Sequence, residues 1–67
     1  MVWGVNRNDD IFSMSGSNLK WTKIQGKLKQ IEVGNMGVFG VNTNDDIFYR
    51  IDTIKNREYS SGSSWQR

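Results

Sequence analysis

Residues 2–12 read VWGVNRNDDIF and residues 38–48 read VFGVNTNDDIF, a shift of 36 residues in which only Trp3/Phe39 and Arg7/Thr43 differ. Agreement at nine of eleven positions within one short chain is not coincidence. A period between about twenty and fifty residues marks architectures in which one supersecondary unit stacks on its copies, because a single unit cannot bury its apolar faces alone. Farther along the copies fall out of step and rejoin: residues 17–21, SNLKW, correspond to 61–65, SGSSW, now at a shift of 44. The second copy therefore holds eight more residues, placed within 51–60. That stretch, IDTIKNREYS, is polar, as an outer loop would be.

No segment sustains a 3.6-residue apolar period, and glycine or asparagine interrupts the chain every ten residues or so. Short runs rich in β-branched and aromatic residues, bounded by turn formers, predict an all-β chain. Strands are expected at 2–6, 11–14, 21–25, 28–34, 38–42 and 47–51, with another starting at Trp65. Gln25-Gly26-Lys27 and Gly34-Asn35-Met36-Gly37 read as hairpin turns with glycine available for positive φ. Asn6-Arg7-Asn8-Asp9-Asp10 and its copy Asn42-Thr43-Asn44-Asp45-Asp46 read as two more. One full unit then has four antiparallel strands, opened in turn by Trp21, Leu28, Val38 and Ile47. Gly4 and Gly40 fall in mid-strand, where glycine signals close approach of another backbone or sheet. Four-stranded units stacked by their faces describe β-propeller blades. By this division, 1–16 form the second half of one blade, 17–52 a complete blade, and 53–67 a loop and the first strand of the next.

Size sharpens the same conclusion. A chain of 67 residues buries only about 60% of the surface it exposes when unfolded, so its core is marginal. Disulfides and zinc are the usual remedies, but the sequence has neither cysteine nor histidine. Assembly, or membership of a larger structure, is what is left. A cyclic trimer is the expected form, the strand at 63–67 of one copy pairing beside 1–14 of the next to give six blades. The net charge of +2 is too mild to indicate a nucleic-acid partner. Lys20, Lys23, Lys27 and Lys29 bunch as they would on a solvated face. The longest apolar runs are far too short to span a membrane.

The segment Trp21 to Ile31, WTKIQGKLKQI, followed by Gly34 to Gly37 and by Val38 to Arg50, resembles the tectonin repeat of fish-egg lectins, a horseshoe-crab lipopolysaccharide-binding lectin and slime-mould tectonins. Together with the partial first copy the resemblance covers nearly the whole chain, and the long stretch before Trp65 is most like the fish-egg lectins. Such lectins have five or six blades, and their secreted members often carry loop cysteines that are absent here. Met1 stands where the repeat has Gly37 and Arg67 where it has Lys23, so both ends are expected to fall inside a blade.

The resemblance implies a secreted carbohydrate-binding module for bacterial lipopolysaccharide or N-acetylated sugars. Sugars need aromatic faces for C–H surfaces and amides or carboxylates for hydroxyls. On that basis Trp21, Lys27, Asn44, Asp46, Asn8, Asp10 and Trp65 are the expected carbohydrate-binding residues. The aromatic, amide and acidic residues of the repeat have duller roles open to them: Trp3 and Phe39 can pack between blades, Trp21 and Trp65 can belong to the core, Asn6 and Asn42 can close turns, and Asp46 can brace a hairpin. The alternatives are an intracellular scaffold repeat that binds protein or lipid, and a repeat fragment without activity of its own. No enzyme is expected, since the usual nucleophile–base pairs need histidine or cysteine, and the paired aspartates recur as a structural turn would. No cofactor is expected, although the Asn-x-Asn-Asp-Asp loop offers oxygens that calcium could use.

Overall fold

The computed structural model describes residues 1–15, 19–51, 53 and 61–67. The described residues are all-β, with seven strands among them: β1 (Val2–Val5), β2 (Asp10–Met14), β3 (Trp21–Lys27), β4 (Gln30–Gly34), β5 (Gly37–Val41), β6 (Ile47–Arg50) and β7 (Trp65–Gln66). They form two antiparallel meanders, β1-β2-β3 and β4-β5-β6-β7, each like one propeller blade. The expected hairpins at 6–10, 34–37 and 42–46 join β1 to β2, β4 to β5 and β5 to β6. Most of the eight-residue insertion, at 52 and 54–60, and the start of the second matched motif, at 16–18, lie outside the described residues.

Two expectations are corrected. Strand β3 does not open the unit that contains 30–50. It pairs with β2, Met14 opposite Trp21 and Ile11 opposite Ile24, and so completes the sheet begun by the first copy. The strand that completes the second sheet is β7, with Trp65 opposite Arg50. Residues 65–66 thus pair with β6 of their own chain. The physical reason lies at Gln25-Gly26-Lys27, which is a bulge and not a hairpin. Asp10 pairs with Lys27 while its neighbour Ile11 pairs with Ile24, so Gln25 and Gly26 are extra residues on β3. Gly26 takes φ of 119°, a conformation open to glycine without strain, and the Trp65 ring lies against its bare Cα.

The chain crosses between sheets at Leu28. Its N–H donates to the Asp9 carbonyl at 3.0 Å, and the Lys29 N–H donates to the Val41 carbonyl at 2.8 Å. Leu28 therefore belongs to neither strand, and β4 begins two residues later than expected. The Leu28 side chain is buried between the sheets, with Trp3, Ile11 and Ile24 from one and Val38 from the other. Met1, Val5, Ile31, Phe48 and Trp65 close around this core. Alternation sets the facing surfaces: Trp3, Val5, Ile11 and Ile24 share one side of the first sheet, and Ile31, Val38, Gly40 and Phe48 one side of the second. Gly40 is glycine because a Cβ there would overlap the Leu28 side chain.

Candidate functional site

Each copy of the Asn-x-Asn-Asp-Asp motif closes on itself. The Asn6 side-chain carbonyl accepts the N–H groups of Asn8 at 3.0 Å and Asp10 at 2.9 Å. Asn42 does the same for Asn44 and Asp46, both at 2.9 Å. Asp9 and Asp45 both take φ of 64°, a left-handed position that aspartate tolerates better than most residues. The amide carbonyls of Asn6 and Asn42 are thus spent on the backbone, as the duller reading of these residues anticipates.

The carboxylates that follow these turns meet cations. Asp10 accepts a hydrogen bond from Lys27 and has Lys23 at 3.7 Å, while Lys27 also donates to the Asn8 carbonyl at 3.4 Å. In the second copy Asp46 meets Arg67 at 2.7 Å, and Asp45 meets Lys29 at 2.6 Å. Arg67 stands to Trp65 as Lys23 stands to Trp21, so one carboxylate–cation pair recurs in both sheets. The hydrogen bond from Lys27 holds the Asp10 carboxyl below its ordinary range, helped by Asn6 and Lys23 and opposed by partial burial. Among the described residues no three acidic side chains gather as a metal site would require.

A second feature sits on the seam between the sheets. A crevice of about 290 Å³ is lined by Gln25, Gly26, Arg50, Ser63, Ser64 and Trp65. Trp65 is fixed from three directions. Its indole N–H donates to the Gln25 carbonyl at 2.9 Å. The Trp3 ring meets it nearly edge-on, 6.2 Å between centroids at 69°. The Arg50 guanidinium lies over it at 5.2 Å, a cation–π distance. Arg50 is buried and its Nε–H donates to the Ser61 carbonyl at 2.9 Å. Burial lowers its pKa from the ordinary value, yet a guanidinium remains a cation throughout the physiological range. The opposite wall is pinned by backbone bonds from Ile51 to Ser64 and from Ser63 to Ile51.

Of the residues expected to bind sugar, the structure brings Asn8, Asp10 and Lys27 together at the foot of the bulge. Trp65 is on the seam beside that bulge. Asn44 and Asp46 stay on the second turn, and Trp21 stands exposed on the outer face of the first sheet, beside Gly4 and Phe12. Gln25, Arg50, Ser63 and Ser64 were not anticipated. The recurring Asp10–Lys23 and Asp46–Arg67 pairs were available in the sequence, since both members repeat. The serines and Arg50 were not, because the first copy has Leu19, Lys20 and Met14 in their places.

Blade-like antiparallel meanders, stacked face to face and built on a recurring Asn-x-Asn-Asp-Asp turn, define an all-β repeat protein. The family model for the Tectonin domain matches residues 1–67, and the chain belongs to that family. Its members are generally not enzymes. No curated protein and no solved structure matches the chain.

Proposed function

We propose that this chain is a carbohydrate-binding module of tectonin type, acting outside the cell on bacterial lipopolysaccharide or N-acetylated sugars. The observation that carries the reading is the seam crevice. At about 290 Å³ it falls near the lower end of the roughly 300–1,000 Å³ typical of small-molecule sites, where mostly apolar walls carry a few placed polar groups. Here the indole edge of Trp65 supplies apolar surface, while Gln25, Ser63, Ser64 and Arg50 supply hydrogen-bonding groups for hydroxyls or an acetamido group. The wall is firm, because Trp65 is held by Gln25, Trp3 and Arg50, and a firm site loses little freedom when it binds.

Calorimetric titration with N-acetylglucosamine oligomers and with lipopolysaccharide, against maltose as control, tests the proposal. Gln25→Ala and Ser64→Ala each remove an exposed polar side chain from the rim. Each is expected to weaken binding about 3- to 10-fold, the range of one lost neutral hydrogen bond, without changing the melting temperature. Equal affinity for maltose, or full affinity in both variants, defeats the reading.

A further inference from the structure

The bulge that breaks β3 borders a second hollow, whose walls differ in kind from those of the seam crevice. A recess of about 200 Å³ is lined by Ile11, Gly26, Lys27, Leu28, Phe48 and Trp65. Gly26 and Trp65 also line the crevice, so the two hollows adjoin at those residues. A side chain at position 26 would crowd that junction. An added Cβ would stand 3.3 Å from the Trp65 indole and 3.5 Å from Ile11 Cδ1. The bare Cα of the bulge leaves open the place where crevice and recess meet.

The described side chains on the recess walls have no polar group to spare. Ile11, Leu28 and Phe48 are hydrocarbon. The Trp65 indole N–H is spent on the Gln25 carbonyl. Lys27 turns its ammonium to the Asp10 carboxylate and the Asn8 carbonyl, which leaves its methylene stem for the wall. Such a space suits water badly, because a buried water needs two to four polar partners, whereas apolar cavities of about 150 Å³ stay dry and accept hydrocarbon. A hollow of this size is also uncommon in a protein interior, where few voids exceed a water molecule. The adjoining crevice is polar by contrast, at Gln25, Arg50, Ser63 and Ser64.

We infer that the recess receives the acyl chain of an N-acylated amino sugar whose ring occupies the crevice, and that it favours chains longer than acetyl. The inference rests on the carbohydrate reading of the seam and adds a specificity-determining wall to it, formed by Ile11, Leu28 and Phe48. A polar crevice adjoining a hydrocarbon recess matches a 2-acylamino sugar, whose hydroxyls and amide sit beside a short hydrocarbon tail. One acetyl methyl leaves most of about 200 Å³ unfilled, and propanoyl and butanoyl chains fill more of it. Each methylene taken out of water tightens binding about fourfold. A hydroxyl on the chain finds no side-chain partner there and forfeits that gain.

The test titrates the 67-residue chain calorimetrically with methyl glycosides of N-acetyl-, N-propanoyl-, N-butanoyl- and N-glycolylglucosamine. Affinity is expected to rise about fourfold from acetyl to propanoyl and to rise again to butanoyl. N-glycolyl matches propanoyl in size but ends in a hydroxyl, and is expected to bind at least about fivefold more weakly than propanoyl. Phe48→Trp fills the recess and is expected to abolish the preference for butanoyl over acetyl. If near-UV circular dichroism shows that this variant does not fold, Ile11→Val replaces it; that change enlarges the recess and is expected to raise the preference. Affinities that stay level or fall along the acyl series overturn the inference. So does N-glycolyl binding as tightly as N-propanoyl, or a folded variant that keeps the wild-type preference. In each of those cases the sugars still bind and the carbohydrate reading of the seam stands. Binding of none of the four removes both.

Discussion

Alanine at Gly40 separates a steric requirement from a backbone one. An added Cβ would overlap Leu28 Cδ1 and lie 3.1 Å from the Gln30 carbonyl oxygen, which belongs to a paired strand and cannot swing aside. The backbone at Gly40 lies in an ordinary strand region, so conformational strain is not the reason for glycine there. The cost is therefore overpacking, about 1–3 kcal/mol. In a domain of this size that lowers the melting temperature by roughly 5–20 °C. Gly34 is the control: nothing lies within 4 Å of a Cβ there, and Gly34→Ala is expected to be neutral or slightly stabilising. Leu28→Ala alone should cost about 2–5 kcal/mol as a buried truncation. Combined with Gly40→Ala it should cost less than the sum, because the missing leucine methyls leave room for the new one. Thermal and urea melts of the four proteins measure this cycle. Equal losses at Gly34 and Gly40, or full additivity at 28 and 40, refute the packing argument.

Asn42→Ala removes the acceptor of two backbone N–H groups and should cost about 1–3 kcal/mol, whereas Asn44→Ala, whose own N–H is the group being bonded, should cost under about 0.5 kcal/mol; urea midpoints compare them. Because the Asp10 carboxyl is held below its ordinary range when folded, its contribution to stability is present above the unfolded-state pKa and is lost as pH falls through the lower folded-state value. Melting temperature against pH should accordingly fall less steeply on the acid side for Asp10→Asn than for the wild type, and parallel curves contradict the pairing with Lys27. Chelation with EDTA is expected to leave the melt unchanged, since Asp10, Asp45 and Asp46 each already face a cation; a shift of several degrees points to calcium in the turn.

The strands were legible because each short β-rich run ends at asparagine or glycine, and their boundaries agree within two residues. Which strands share a sheet was not legible at one place. Gln25-Gly26-Lys27 offers a glycine with positive φ, and both a hairpin and a bulge need that. Local sequence does not choose between reversing the chain and kinking it; the choice is made by Ile24 burying opposite Ile11 and by Trp65 needing the space over Gly26. The turn aspects of the candidate site were readable, because Asn6 and Asn42 repeat with their loops. The seam was not: Arg50, Ser63 and Ser64 converge only through the pairing of β6 with β7, and no repeated counterpart signals them.

The carbohydrate reading rests on the seam, and the chain carries three indole N–H groups, from Trp3, Trp21 and Trp65. Their signals in a ¹⁵N–¹H correlation spectrum, followed as N-acetylglucosamine oligomer is added, test it most directly. The account predicts that the Trp65 indole and the Ser63 and Ser64 amides shift together and saturate, while the Trp21 indole holds still. Saturating shifts confined to Trp21, or none at any indole, would contradict it.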